Sequence, residues 1–282
     1  MTDGEPRAPG YALMDLVLRE LAESLVAASG ATQPFGLHVI PSTEPAAELA
    51  RSVEREVFAE AFGNSPELLA AEYDRYEPAS IFFCVIDHRR LLPAGVMRVI
   101  VTSEHGQKSL DDIEKVWGQP VADLVARTGC TLDPAHCWDI ATLAVSKEYR
   151  RAAAEGLSSA ALYQASCMIA RARRVRWYVA VLDVRVLRLI SLTMGRPFQR
   201  FEGLEPAPYL DSASSVPVYV DLDEYEARLA AGKPEIRELL FAGHGLEAAM
   251  WTPDWADAAL HALDALGLAA ETAADRASTP QA

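Results

Sequence analysis

The chain has 282 residues, half of them hydrophobic, and a formal net charge of −14. That length and composition suffice for one large domain with a substantial core, and the acidic balance argues against a nucleic-acid-binding protein. No apolar run reaches the roughly 20 residues that a membrane-spanning helix needs, and the polar residues 1–6 lack a signal-peptide pattern. We therefore expect a soluble, cytoplasmic protein without a membrane span.

The cysteines are too sparse for a disulfide framework in a chain of this length. Their spacing also lacks the paired ligands of a zinc site. We therefore predict free thiols, no metal and no permanently bound cofactor. The residues concerned are Cys84, Cys130, Cys137 and Cys167.

Hydrophobic periodicity in the first half predicts helices around one strand, followed by a hairpin. Residues 11–28 and 43–62 carry apolar positions at helical spacing, and Gly30 ends the first of these helices. The other predicted elements here are a strand at 35–41, a helix at 66–76, paired strands at 81–86 and 95–101, and a helix at 110–127. Ser109 and Asp112 resemble a capping box for that last helix.

The second half alternates predicted strands and helices, as a parallel sheet requires. A strand at 139–145 leads through a charged turn to a helix at 157–173 and then to a strand at 177–182. The last of these is almost wholly apolar, which is typical of a strand covered on both faces. A helix at 184–194, strands at 198–201 and 216–220, and a helical region from 223 to 266 follow.

A basic segment stands out in this acidic chain. Residues 147–200 hold 11 Lys or Arg and 3 Asp or Glu, a net charge of +8. Within it, Arg151-x-x-Ala154-x-Gly156 places small residues just before a predicted helix, where backbone N–H groups can hold a phosphate. The plainer alternative is a solvated basic turn in front of a helix.

The order of elements resembles the GNAT acyltransferase superfamily over about residues 35–222. Its phosphate-loop signature, Arg/Gln-x-x-Gly-x-Gly/Ala, is matched by residues 151–156 with Ala154 at the first Gly. Further features are similar to the autoinducer (acyl-homoserine-lactone) synthases and the long-chain N-acyl amino acid synthases. These are Phe58 and Phe62 before Asp74, Gly95-x-x-Arg98, and Asp139 leading into Ala144-Val145 and Tyr149-Arg150. Where those families usually carry Glu and Ser-Arg, this chain has Asp139 and Thr142-Leu143.

The resemblance implies an α/β GNAT fold, a mixed central sheet flanked by helices, with helical extensions at both ends. The expected division is a tail and helix at 1–33, the acyltransferase domain at 34–222, a helical extension at 223–268 and a disordered tail at 269–282. The implied activity moves an acyl group from acyl-CoA or acyl-carrier protein to the amine of a small metabolite, such as an amino acid, by direct attack.

The resemblance also implies roles for particular residues. Asp139 is the first candidate for general base, with His136 as a backup. The strand at 139–145 would splay from the strand at 177–182, so that a backbone N–H near Ala144 or Val145 could bond the thioester oxygen. Ser191 stands four residues before Gly195, where many GNAT enzymes carry a Tyr that protonates the leaving thiolate. Ser is a poor acid at neutral pH. Asp74, Tyr76 and Arg98 would line the acceptor pocket. Val145 would contact the donor through its backbone N–H. The donor's phosphates would bind at Arg150, Arg151, Ala152, Ala154, Glu155, Gly156, Leu157 and Ser158.

Several alternatives stay open at this point. Instead of acting as a base, Asp139 could be a strand-end residue that accepts hydrogen bonds from nearby backbone. Instead of binding the acceptor, Arg98 could be a charged residue on the exposed surface of its strand. A second basic cluster either docks an acyl-carrier protein or merely stabilises a helix C-terminus; it comprises Arg171, Arg173, Arg174 and Arg176. The chain as a whole is alternatively a thioester-binding module without turnover. The third alternative is an assembly protein, such as a homodimer, joined through its C-terminal helices.

Overall fold

The structure is a computed structural model that describes residues 9–150 and 156–268. Its strands are β1 (Phe35–Pro41), β2 (Ser80–Asp87), β3 (Leu92–Ile100), β4 (Cys137–Val145), β5 (Trp177–Asp183), β6 (Gln199–Arg200), β7 (Ala207–Tyr209), β8 (Ser212–Asp221) and β9 (Met250–Trp251). Its helices are α1 (Pro9–Ser29), α2 (Ala47–Phe62), α3 (Pro66–Tyr73), α4 (Lys108–Trp117), α5 (Val121–Thr128), α6 (Lys147–Arg150), α7 (Leu157–Arg173), α8 (Val184–Thr193), α9 (Leu222–Gly232), α10 (Pro234–Phe241) and α11 (Trp255–Ala265).

All the strands of the described residues belong to one mixed sheet. The order is β6-β8-β5-β4-β3-β2-β1-β9, and β7 pairs with β8. The β4–β5 and β1–β9 pairs are parallel and the others are antiparallel. The predicted mixed sheet flanked by helices is therefore confirmed.

Helices cover both faces of the sheet. On one face α1 and α2 pack against β2 and β3, and α4 and α5 pack beside them against β4 and β5. On the opposite face α7 packs with α9, α10 and α11 over the largest apolar cluster. Strand β5 lies near the centre of the sheet and packs into an apolar cluster on each face, as its apolar sequence predicts.

Two predicted elements are wrong in detail. The predicted helix at 110–127 is two helices, because Gly118 ends α4 with a positive φ of 63° and Pro120 precedes α5. The predicted capping box at Ser109 is also wrong. Helix α4 begins at Lys108 after Gln107, so Ser109 lies inside its first turn.

The C-terminal region packs into the main core. Met250 and Trp251, predicted as helical, instead add β9 beside β1. Buried residues of α10 and α11, including Leu240, Phe241 and Leu263, join the apolar cluster under α7. These faces are therefore occupied within the chain, and the assembly role of the C-terminal helices stays a prediction. The tail at 269–282 that was predicted to be disordered lies outside the described residues, as do residues 1–8.

Within the described ranges, no helix is long and apolar enough to cross a membrane.

Candidate active site

The two central parallel strands separate partway along their length. β4 pairs with β5 only at Cys137, Trp138 and Asp139, although β4 continues to Val145 and β5 to Asp183. The sequence alone could not establish this separation, which was expected from the resemblance. It opens a gap in the middle of the sheet on the carboxyl side of both strands, which is where ligands commonly bind in open α/β sheets.

The backbone of β4 directs particular amides into this gap. The β3–β4 register shifts between Arg98 and Val99, which leaves Ala141 as an extra residue in β4. Beyond the shift, the Ser146 N–H donates to the Ala94 carbonyl of β3 at 3.0 Å. Backbone groups alternate in direction along a strand, so the Ala144 amide also faces β3, whereas the Leu143 and Val145 amides face the gap. The predicted oxyanion donor is therefore wrong for Ala144, while Val145 stays a prediction.

An apolar cleft lies on the α7 face of the gap. Its walls come from Leu143 of β4, Leu182 of β5, Cys167 of α7, and Ile190 and Met194 of α8. They expose almost no polar surface. The cleft therefore suits a hydrocarbon chain rather than a charged ligand.

A second, more polar cleft opens on the α2 face of the same gap. Phe58, Tyr73, Thr142, Val186 and Tyr209 are among its lining residues. Three residues line both clefts, namely Ile140, Leu143 and Leu182. The two clefts therefore meet at the place where β4 and β5 separate.

A buried polar network stands behind Thr142 in the second cleft. The Thr142 hydroxyl donates to the carboxylate of Glu54, and Arg98 donates to both oxygens of Glu54, at 3.0 and 2.7 Å. Arg98 also donates to Glu77. With 3% of its surface exposed, Arg98 is not the surface charge that one alternative proposed. Because two carboxylates of the chain already bind its guanidinium, an acceptor carboxylate would have to compete with them.

A second polar network underlies the same cleft. The Lys108 ammonium is buried and donates to Glu72 at 2.8 Å, to the Tyr209 hydroxyl at 2.9 Å, and to Asp112. The Tyr209 hydroxyl in turn donates to Asp112. The network fixes the Tyr209 ring in the cleft wall through charge-assisted hydrogen bonds.

Asp139 lies next to this second network and bonds Ser109, the neighbour of Lys108 in α4. It is completely buried, and its two oxygens accept from the backbone N–H and the hydroxyl of Ser109, at 2.5 and 2.7 Å. Burial raises the pKa of Asp139 to about 7, against the opposing hydrogen bonds from Ser109. That pKa suits a general base, but Asp139 lines neither cleft. The geometry favours the alternative in which this carboxylate anchors backbone, here the first turn of α4.

The predicted phosphate site is described only in part. Arg151, Ala152, Ala154 and Glu155 lie outside the described residues. Gly156 precedes α7 in the left-handed conformation, and no side chain caps the helix. The Ser158 hydroxyl, in the first turn, is buried and has no hydrogen-bond partner among the described residues. The backbone N–H groups of Leu157 and Ser158 begin the helix without a capping side chain, and together with this hydroxyl they fit an oxyanion ligand. The predicted phosphate ligand Arg150 forms an ion pair with Glu60 at 2.6 Å.

The predicted acceptor residues do not form one site. Asp74 and Arg98 share a polar pocket with Arg51 and Glu77, which adjoins the second cleft at Tyr73. Tyr76 points elsewhere, and its hydroxyl donates to Asp111 at 2.7 Å. Their acceptor role stays a prediction.

Neither Ser191, which stands at the position of the family's Tyr, nor the backup base His136 lines a cleft at the gap. The Ser191 hydroxyl donates to the Leu187 carbonyl of its own helix at 2.7 Å. His136 is exposed and bonds to Asp133 at 2.6 Å. The sequence singled out neither Thr142 with Glu54 nor Tyr209 with Lys108 as functional residues, because the partners in each pair are far apart in the chain.

Comparison with known proteins agrees with this architecture. No family model and no curated protein matches the chain. FeeM, an N-acyl amino acid synthase from uncultured soil microbes, superposes with a TM-score of 0.53 at 16% identity, over 71% of this chain and 97% of that one. BjaI, a CoA-dependent acyl-homoserine lactone synthase solved with SAM and isopentyl-CoA, gives 0.50 at 18% identity, over 80% and 97%. At these identities the likeness concerns the fold, and the predicted GNAT fold is confirmed.

Proposed function

We propose that the chain is an N-acyltransferase that moves an acyl group from a thioester donor to the amine of a small metabolite. The observation that carries the proposal is the gap between β4 and β5, which joins an apolar cleft to a polar one beside two backbone amides. An acyl chain and an amine could thus approach one carbonyl from opposite faces of the sheet. The names of the structural neighbours, an N-acyl amino acid synthase and a CoA-dependent acyl-homoserine lactone synthase, support the same chemistry.

The donor would bind along the α7 face. The open N-terminus of α7 at Gly156, with the Ser158 hydroxyl, would receive an anionic phosphate group of the donor. The pantetheine arm would then enter the gap, and the acyl chain would occupy the apolar cleft. Filling that cleft with methylene groups is favourable by about 0.8 kcal/mol for each group buried, so we expect a donor longer than acetyl.

The reaction would proceed by direct attack. The amine nitrogen forms a bond to the thioester carbon, and negative charge develops on the carbonyl oxygen. An amide N–H at Leu143 or Val145 would stabilise that charge, and one such donor is typically worth about 3 to 4 kcal/mol. The C–S bond then breaks, the amine proton passes to water in the polar cleft, and the thiolate takes a proton from solvent, consistent with a thiol pKa near 8.5.

Thr142 would orient the amine. Its single hydroxyl proton is engaged by Glu54, so only oxygen lone pairs remain for a ligand in the polar cleft. The oxygen would accept an N–H of the incoming amine and so direct the nitrogen lone pair towards the carbonyl. We assign Asp139 a positioning role, since it holds α4 and, through Lys108, the Tyr209 wall of the cleft.

We favour acyl-CoA over acyl-carrier protein as the donor. The cluster from Arg171 to Arg176 precedes β5, whereas the gap extends from beyond Val179 to Asp183, about 10 to 20 Å along the strand at 3.3 Å per residue. Arg171 and Arg176 also pair with Glu226 and Asp221 of the chain itself. Carrier-protein docking at these arginines remains the alternative for the donor.

The test is to incubate the purified chain with a series of acyl-CoA thioesters and pooled amines, and to measure free thiol together with product mass. Thr142→Val removes the hydroxyl at nearly constant shape, and we expect it to raise the KM for the amine about tenfold, with the donor KM unchanged. Thr142→Ser, the matched control, should stay close to wild type. Absence of thiol release with every donor would contradict the proposal.

The second candidate is a thioester-binding protein without turnover. It is favoured by one observation, namely that the Ser191 hydroxyl is occupied by a backbone carbonyl at the position where many GNAT enzymes have an acidic Tyr. Tight binding of acyl-CoA without thiol release would support this candidate over the enzyme.

A further inference from the structure

We propose that the outer face of α8 binds the surface of an anionic lipid bilayer. We call this surface the α8 face and define it by the exposed residues Arg185, Val186, Arg188, Leu189, Leu192 and Thr193, with Arg196 just beyond the helix. The proposal goes beyond the proposed acyl transfer, since it concerns where the protein sits rather than what it does.

The α8 face is unusually apolar for an exposed helix. Leu189 and Leu192 are 62% and 72% exposed, the two highest values among the large hydrophobic residues of the described chain, and Val186 is 36% exposed. Positions 186, 189 and 192 are spaced by three residues, so they run along one side of the helix over about 9 Å at 1.5 Å per residue. The opposite side, Leu187 and Ile190, is buried against the sheet.

The charge of this surface is opposite to that of the chain. Residues 184–200 contain four Arg and no Asp or Glu, in a chain whose net charge is −14. Arg185 is paired with Asp183 at 3.2 Å. Among the described residues, Arg188, Arg196 and Arg200 have no ion-pair partner, and Arg228 of α9 adds a further cation by bonding to the Arg196 carbonyl. The acidic neighbour Glu224 bonds to Gln199.

Exposed leucines interleaved with unpaired arginines match the chemistry of an anionic membrane interface. Aliphatic side chains enter the boundary between headgroups and acyl chains, while cations attract anionic headgroups. Apart from Val186 at its edge, the α8 face lines neither cleft. A convex helix of this kind suits a planar surface better than a protein partner that must bury a shaped interface. The acidic remainder of the chain would be repelled, so this face alone would point to the bilayer.

The position of α8 gives such binding a consequence. The inner residues Ile190 and Met194 line the apolar cleft, and Val186 lines the polar one. A bilayer on the outer face would therefore lie beside both openings of the gap, where an amphiphilic acyl compound could enter or leave without crossing water.

The experiment is vesicle flotation of the full chain, with phosphatidylcholine vesicles compared with vesicles rich in phosphatidylserine. We expect the wild type to float with the anionic vesicles only, and to be released by high salt. Leu189→Gln/Leu192→Gln should lower the partition coefficient at least about tenfold, and Arg188→Gln/Arg196→Gln should do the same. These side chains are exposed, so both variants should keep the wild-type circular dichroism and melting temperature.

Leu16→Gln/Leu260→Gln is the matched control, because these leucines are 52% and 45% exposed on α1 and α11. It should float like the wild type. Failure of the wild type to bind anionic vesicles would overturn the proposal, as would equal losses in the control and the α8 variants. If the α8 variants float like the wild type but transfer acyl groups from an acidic acyl-carrier protein more slowly, the α8 face binds a protein and not a bilayer. Acyl transfer from CoA in detergent-free solution tests the proposed function separately.

Discussion

Replacing Asp139 with Asn should change how the stability of the protein depends on pH. The wild-type carboxyl is completely buried, and burial raises its pKa from 3.8 to about 7. The folded chain therefore holds a proton between these values that the unfolded chain has released, so the contribution of Asp139 to stability is greatest below pH 3.8 and is lost as the pH rises to 7. Asn does not titrate and removes this contribution.

The size of the effect follows from the shift. Each pKa unit corresponds to about 1.4 kcal/mol, so a rise of about 3 units gives about 4 kcal/mol between acid and neutral pH. Asn can keep the geometry, because its carbonyl accepts the Ser109 N–H and its amide can donate to the Ser109 oxygen. The free energy of unfolding of Asp139→Asn, relative to wild type, should therefore increase by about 4 kcal/mol from pH 4 to pH 8.

Urea denaturation at several pH values measures this difference, with Asp257→Asn on the exposed side of α11 as the control. The difference in free energy of unfolding between this control and wild type should change little with pH. A constant difference between Asp139→Asn and wild type would refute the reasoning, since it would mean that the carboxyl is ionised in the fold throughout. Donor affinity should be unchanged, because Asp139 lines neither cleft. Complete loss of turnover in a stable variant would return Asp139 to the role of base.

Three further predictions concern other parts of the chain. Arg98→Met should destabilise the fold by about 3 to 5 kcal/mol in urea denaturation, since it leaves buried Glu54 without its cation; a loss below 1 kcal/mol would contradict this. Burial, with a contribution from His88, lowers the pKa of His38 to about 3, so the stability that the neutral ring contributes should be lost as the pH falls from 6.5 towards 3. His38→Phe should remove this pH dependence, which acid denaturation measures. Cys167→Trp should fill the apolar cleft and shorten the longest acyl chain accepted in the thiol-release assay, whereas Cys167→Ser should not; an unchanged chain-length profile would remove the acyl chain from this cleft.

Long, strongly periodic segments of the fold were predictable from sequence. The strands around 81–86 and 177–182 and the helix at 157–173 appear within two residues of their predicted bounds. The break within a helical segment and the short strand at the sheet edge could not be predicted from sequence. Gly118 and Pro120 divide a helical pattern that continues on both sides of them. Met250 and Trp251 form a strand only because β1 offers a free edge, which no local pattern reveals.

The candidate site was predictable in outline and not in its contacts. The small residues before α7 and the strand leading to Val145 mark the location of the gap, as the resemblance implied. The direction of the gap amides depends on the extra residue at Ala141, which appears only in the β3–β4 register. The role of Arg98 was obscured because its partner Glu54 lies 44 residues away in the chain. Long-range pairing of this kind leaves no spacing signal in one sequence.

A crystal structure with a non-reactive 2-oxoalkyl thioether of CoA, in which a methylene separates the sulfur from a long-chain ketone, tests the central claim most directly. We predict that the sulfur lies in the gap between β4 and β5, with the ketone oxygen within hydrogen-bond distance of the Leu143 or Val145 amide, and with a phosphate at the first turn of α7. An analogue bound elsewhere, or a gap closed by side chains in the complex, would contradict the account.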